Sequence, residues 1–468
     1  MSAHASTLLP TPAQHGPTLA MAREAWAALG GPAEGLRHLG VVGRGDLRSA
    51  FPVTDLAAAS VGVAGLAVAE LAALSGGGWP AVQVDRRLAS FWFGMSLRPQ
   101  GWALPPVWDA VAGDYRTADG WVRLHTNAPH HRAAALAVLG AEADRELVAR
   151  AVARWDADAL EAAVVEQGGC AAAMRSVEDW AGHPQGRAVQ CEPLVHWDVA
   201  APVAKPGWRI DSARPLRGLR VLDLTRILAG PAATRFLAGH GADVLRIDPP
   251  GWDEPVTVPE VVLGKRCARL DLRTPADLAV FEGLLRQADV LVHGLRPGAL
   301  EHLGLGEQRR RELNPGLVDV SLSAYGWSGP WQGRRGFDSL VQMSTGIADA
   351  GLRMGGHDGP TPLPVQAIDH ATGYLMAAAA VRGLVRRMAT GAGCTARLSL
   401  ARTAHWLVSA DRRAVEPLAP EQEDDLNDAL EPTSWGPARR VRAPLEVQGA
   451  AMHWDRPALA LGSASACW

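Results

Sequence analysis

Asp369 is the residue of this chain best suited, by type and place, to covalent chemistry. It heads a long alanine-rich run, Asp369 to Arg387, which stops at Gly391-Ala-Gly393, and Arg382, Arg386 and Arg387 gather toward the far end. That charge order suits a helix, whose amino end favours a carboxylate through its free amides and dipole. A carboxylate so placed can attack an acyl carbon and carry the acyl group as a mixed anhydride. Asp is also a preferred helix cap, the role that local sequence alone favours. A second aspartate, Asp55, opens a similar run that ends at Ser75-Gly-Gly-Gly78, before the strand-like Val82-Gln-Val-Asp85. An offset of 314 pairs Asp55 with Asp369 and Gly77 with Gly391, with few other matches. Asp55 lacks the Thr-Gly that follows Asp369, so it reads as a leftover cap.

The elements around Asp369 are those of a parallel sheet. Val221-Leu222 and Val244-Leu245 are short apolar runs of strand type, and Ala232 to His240 between them has helical spacing. Strand, Gly-Pro turn, helix and strand make a βαβ unit. Gly-x-Gly-x-x-Gly is missing from the first turn, which argues against a nicotinamide or flavin enzyme. Lys265 and Arg266 after Gly264 could meet phosphates, although a lone basic pair more often faces solvent.

The set Gly218-Leu-Arg-Val-Leu-Asp-Leu-Thr-Arg-Ile-Leu-Ala-Gly-Pro231, Gly241-Ala-Asp-Val-Leu-Arg-Ile-Asp-Pro-Pro250, Gly264-Lys-Arg266 with Leu270-Asp-Leu272, and Leu295-Arg-Pro-Gly-Ala-Leu300 resembles the nucleotide-binding half of the class III (CaiB/BaiF) coenzyme A transferases. That family includes 2-methylacyl-CoA racemases. The resemblance implies an α/β fold, with a Rossmann-like parallel-sheet large domain and a smaller α/β domain. It implies transfer of coenzyme A from an acyl-CoA thioester to a carboxylic acid, with Asp369 as the nucleophile passing through an aspartyl acyl and then an aspartyl-CoA species. Ile227, Leu228 and Ala229 match residues along the adenine and pantetheine path, Lys265 and Arg266 match a phosphate-contacting segment, and Arg296 matches a weaker contact. The family's Asn-Phe before that last motif is replaced here by Gly294-Leu295. Coenzyme A is then a substrate, with no permanent cofactor and no metal.

The family's order is altered. Its Tyr-x-Thr-x-Asp-Gly-Trp hairpin, here Tyr115 to Leu124, precedes the nucleotide-binding half, and no second hairpin follows Asp369. The chain resembles two incomplete copies joined head to tail. The expected parts are 1–105, a partial large-domain copy; 106–200, a small domain; 201–217, a linker; 218–410, the CoA-binding domain; and 411–468, an acidic linker and return segment. Family members are dimers, which implies a homodimer unless contacts within the chain replace the partner. Gly336-Phe337-Asp338 stands where the family's racemases carry a His-Asp pair, and Phe337 cannot exchange a proton. A racemase-like enzyme is thus an alternative, as is a non-catalytic CoA-binding scaffold. His125 and His370 read as structural, and the Gly76 to Gly78 turn or Gly373 could supply oxyanion amides.

At 468 residues the chain can hold several domains, and its net charge of -3 argues against nucleic-acid or membrane-surface binding. Unbroken apolar runs long enough to span a bilayer are missing, and Met1 to Gly16 does not read as a secretory signal, so a cytoplasmic place is expected. Five cysteines without ligand spacing read as reduced thiols, mostly buried.

Overall fold

In the first half, β1 (Leu39–Val42) and β2 (Val82–Asp85) pair in parallel, Leu39 opposite Val82. The computed structural model describes residues 15–203, 207–356, 358–412 and 416–468, so the expectation for residues 1–14 lies outside the described residues. Between β1 and β2 runs the Asp55 helix, Val53–Ala73, apolar on every side. It is long and apolar enough to cross a membrane, with mean hydropathy 1.8, a feature missed by looking only for unbroken apolar runs. Yet 89% of that stretch is buried inside the protein, as a helix clad on all faces by other elements must be.

After β3 (Leu97–Pro99) comes the expected hairpin, β4 (Gly113–Arg116) and β5 (Trp121–Leu124), widened by β6 (Ala171–Ala173). Strand alternation divides its side chains between two faces. Tyr115, Val122 and Leu124 close over a core with Val148, Val152, Leu160 and Val164. Asp114, Arg123 and Ala172 lie abreast on the other face, where Ala172 and Cys170 pack against Leu340 and Met343.

The second half builds a seven-stranded sheet from β7 (His196–Pro202), β8 (Arg220–Leu224), β9 (Asp243–Asp248), β10 (Arg266–Arg269), β11 (Val290–His293), β12 (Val318–Ser323) and β13 (Ala392–Ser399). Their order is β10-β9-β8-β11-β12-β13-β7, parallel throughout except for β7. Residues 201–217, expected as a linker, thus begin inside an edge strand, a place where proline's missing N–H is tolerated; 204–206 lie outside the described residues. Chain order reverses between β8 and β11, the switch point at which open α/β sheets form a crevice beyond their carboxyl ends.

The Asp369 helix, Ala367–Thr390, lies along the Asp55 helix. At the offset of 314 the backbones coincide where the side chains do not. Both helices follow the same tight turn: Pro52 has φ -76, ψ 65 and Gln366 has φ -75, ψ 64. Val53 N–H donates to Phe51 O at 2.8 Å, and Ala367 N–H to Val365 O at 2.7 Å. The following helices, Arg86–Phe93 and Leu400–Val408, begin at the same offset, each capped by the side chain before it, Asp85 and Ser399. Phe93 crosses between the two segments and stacks on His370, with centroids 5.0 Å apart.

The last segment returns to the first. β15 (Gly436–Arg440), hairpinned with β14 (Glu431–Thr433), pairs with β3, and β16 (Leu445–Val447) pairs with β2. Residues 421–431, the acidic part of the segment expected as a linker and return, are tied down. Glu421 pairs with Arg98, buried Asp425 with Arg87, and Glu431 with Arg440. Residues 413–415 lie outside the described residues.

Candidate active site

Asp369 sits in the first turn of its helix, where amides lack helical partners. Gln366, the residue at the cap, makes no side-chain cap bond. The cap comes from another helix, Asp338–Ser344: Asp338 Oδ2 accepts the Asp369 N–H at 2.8 Å, and its carboxyl also takes the Ile368 amide. Gln342 holds the other oxygen of Asp338 and accepts the Leu363 N–H at 2.7 Å. Burial pushes the Asp338 carboxyl up to about 6, against the pull of these bonds. Burial, then the charge on Asp338, pushes Asp369 well above the usual carboxylate range. The amides favour the charged form of Asp338, and that charge in turn disfavours ionisation of Asp369.

Asp55 has a different environment. Arg86 donates to its carboxylate at 2.8 Å and to that of Asp46 at 2.8 Å, and the Thr18 hydroxyl donates as well. A guanidinium therefore compensates Asp55, whereas at the offset of 314 the place of Arg86 is taken by Leu400.

The residues expected to meet coenzyme A divide into two groups. Ile227 and Leu228 form the turn after β8, Ala229 opens the helix that follows, and exposed Arg296 lies in the turn after β11, so all four stand beyond the carboxyl ends of the two strands at the switch point. Ile227 adopts φ 64, a conformation that strains a β-branched residue, and its N–H donates to Glu254 at 3.0 Å. Lys265 requires correction. Its ammonium is wholly buried, 2.9 Å from Asp223 and 2.9 Å from the Pro231 carbonyl, because an unpaired aspartate inside the sheet would be costly. It does not face a ligand. Arg266 opens β10, at the opposite end of the parallel strands from the crevice, and bonds Asp243 and the Cys467 carbonyl. A cation that sequence reasoning passed over, Arg226, precedes Ile227 and lies over Trp252, 4.4 Å from the ring centroid.

The glycines do not form an oxyanion hole in this geometry. A Cβ on Gly373 would lie 2.4 Å from the Ala229 carbonyl oxygen, so this glycine lets the Asp369 helix approach the crevice turn. Gly76 to Gly78 lie beyond the far end of the helix that Asp55 begins. The histidines pack. His125 stacks on Phe337 at 3.9 Å, with His131 edge-on to the same ring, and burial holds them neutral, at about 3 and about 4. His370, also about 3, stacks on Phe93. Cys170, Cys267 and Cys394 are buried, and Cys191 and Cys467 exposed. No cluster suited to a metal occurs among the described residues.

Together these features define a doubly wound α/β protein with a carboxyl pair at a buried helix start and a crevice at its switch point. Residues 216–440 match the model of CoA-transferase family III. An acyl-CoA transferase of Gibberella moniliformis is 31% identical over 356 residues, covering 71% of this chain and 62% of that protein. A probable fatty acyl-CoA transferase of Mycobacterium tuberculosis is 34% identical, over 38% of this chain and 48% of its own length. The succinyl-CoA:glutarate CoA-transferase of Mus musculus is 32% identical, over 40% and 46%. The chain thus spans from about half to 62% of the length of these relatives.

Proposed function

We propose that this protein is a CoA-transferase that moves coenzyme A from an acyl-CoA thioester to a carboxylic acid through Asp369. The observation that carries this reading is the Asp369 carboxyl, buried at a helix start beside an anionic Asp338. Once deprotonated it is a desolvated anion, and such an anion is a stronger nucleophile than one in water. Its oxygen attacks the thioester carbonyl, forming a mixed anhydride and expelling the CoA thiolate. The thiolate then attacks the aspartyl carbonyl, giving an aspartyl-CoA thioester and freeing the donor acid. The acceptor carboxylate displaces the thiolate to form a second anhydride, and thiolate attack on the acceptor carbonyl releases the new acyl-CoA and the Asp369 carboxylate. Ile227, Leu228, Ala229 and Arg296 face the coenzyme in this scheme.

The first segment supplies the small sheet and the second the parallel sheet and Asp369, so that two incomplete copies make one site within one chain. The matched turns before the two helices support this arrangement. The test is to incubate the protein with short acyl-CoA thioesters, quench with hydroxylamine or borohydride, and map modified peptides by mass spectrometry. Modification at Asp369, absent from Asp369→Ala, is the expected result. CoA binding with no modification would favour a non-catalytic binding protein, and modification at Asp55 would move the chemistry to the other segment.

A further inference from the structure

Arg123 is a cation placed without full use of its donors. Its residue is 8% exposed, it pairs with Asp114 at 2.8 Å, and it lies over Trp108, 4.6 Å from the ring centroid. Its Nε is buried and has no hydrogen-bond partner. Leaving a guanidinium N–H dry and unpaired is costly, and a ligand that takes it up is one way to meet that cost.

The sheet register sets the direction in which Arg123 faces. Ala172, directly beside it on β6, packs on Leu340 and Met343 of the Asp338 helix. His125, one residue past the end of β5 and held in the ladder by its N–H donating to Cys170 O at 2.9 Å, lies on the same face, stacks on Phe337 and has Nδ1 3.4 Å from Ser339 Oγ. Phe337 and Ser339 flank Asp338. Arg123 therefore faces the start of the helix that caps Asp369, and its charge lowers the pKa of Asp338.

Resting on the transferase reading above, we propose that Arg123 anchors the carboxylate of the acceptor acid, with Nε donating to it beside Asp369. A carboxylate approaching two buried carboxyls meets repulsion, and a guanidinium offsets this while fixing the acid's orientation. The small domain thereby selects anionic acceptors, and the crevice at the parallel sheet selects the coenzyme. The anchored oxygen attacks the aspartyl-CoA carbonyl, the thiolate leaves, and its return to the acid's own carbonyl releases Asp369.

Isotope exchange between a thioester that labels Asp369 and its own free acid, carrying the isotope, tests this with an acceptor that must fit. Arg123→Gln is expected to raise the KM for the free acid by about tenfold or more, with the KM for the thioester within about twofold of wild type. Arg123→Lys, which keeps the charge but not the planar fork, should fall between. Adding Asp114→Asn removes the carboxylate left unpaired by Arg123→Gln, and keeps the measurement available if the single variant folds poorly. An unchanged acid KM, or equal rises for acid and thioester, overturns the proposal. Failure of the wild type to label at Asp369 overturns the transferase reading and this inference with it, whereas normal labelling with an unaltered acid KM sinks the anchor alone.

Discussion

The carboxylate of Asp338 accepts the backbone N–H of Asp369 at 2.8 Å, so the group that adds to burial in raising the Asp369 pKa also holds its helix in place. One residue supplies both the electrostatic pressure and the geometry. In Asp338→Asn the charge is lost while one amide can still be capped. Labelling of Asp369 by an acyl-CoA should then reach its plateau at a lower pH than in wild type. A pH series of hydroxylamine-trapped adduct checks this; an unshifted profile would mean that Asp338 does not control the proton.

Asp369→Asn should abolish labelling without weakening the fold. The folded pKa of Asp369 lies well above 3.8, so the folded state retains a proton that the unfolded chain gives up. Its contribution to stability is present at low pH and declines as pH rises from that value through the folded one. An amide has no proton to lose. The variant should match wild type in acid and exceed it in Tm at pH 8, as read by differential scanning calorimetry.

Glu260 shows the opposite dependence. It is buried among Arg235, Arg440 and the amides of Ser96 and Leu97, which with the two guanidiniums hold its pKa down at about 2 despite burial. Its contribution is present above 4.5 and is lost as pH falls through about 2. Glu260→Ala leaves buried Arg235 uncompensated and Arg440 with Glu431 alone, and should cost about 3–5 kcal/mol in denaturant unfolding, with a shallower acid limb.

Arg86 and Asp55 should behave unequally. Arg86→Leu takes away the cation shared by Asp46 and Asp55 and should destabilise by about 3–5 kcal/mol. Asp55→Asn should leave Asp369 labelling at the wild-type rate, since Asp55 serves the fold. A fall in labelling parallel to that of Asp369→Asn would return Asp55 to the chemistry.

Gly373→Ala should cost about 1–3 kcal/mol, because its methyl group must displace the Ala229 carbonyl or the helix. The coenzyme KM should rise with it, as Ala229 begins just past the crevice turn. A fully stable variant with an unaltered KM would show that the close approach is unimportant.

Much of the fold was legible because it rests on local patterns. The Asp369 helix, expected from residue 369, begins at 367, and the hairpin at 115–124 and the strands after Gly218 lie where apolar periodicity put them. Contacts through space were not legible. Asp338 drew notice only as half of a racemase pair, since a cap supplied by another helix leaves no spacing to read. Lys265 was expected to meet phosphates because its motif resembles a phosphate-contacting segment, and only the sheet reveals Asp223 facing it. β16 is three residues long and finds its partner more than 350 residues away, so no window of sequence contains the pair. Asp369 was singled out by the family resemblance around it, since local sequence alone favours a cap, and Arg123 was passed over because a lone arginine in a hairpin strand has no local signature.

The pairings of β15 with β3 and of β16 with β2 set a time order for the molecule's birth. While the ribosome is still adding residue 430, the amino-terminal strands have emerged but their edges stay open. The nascent chain must shield those edges, by the Asp55 helix or by a chaperone, until residues 436–447 have emerged. A stop codon after the parallel sheet would spare every residue around Asp369 yet deprive the first strands of their neighbours, so strands made late govern the solubility of strands made early.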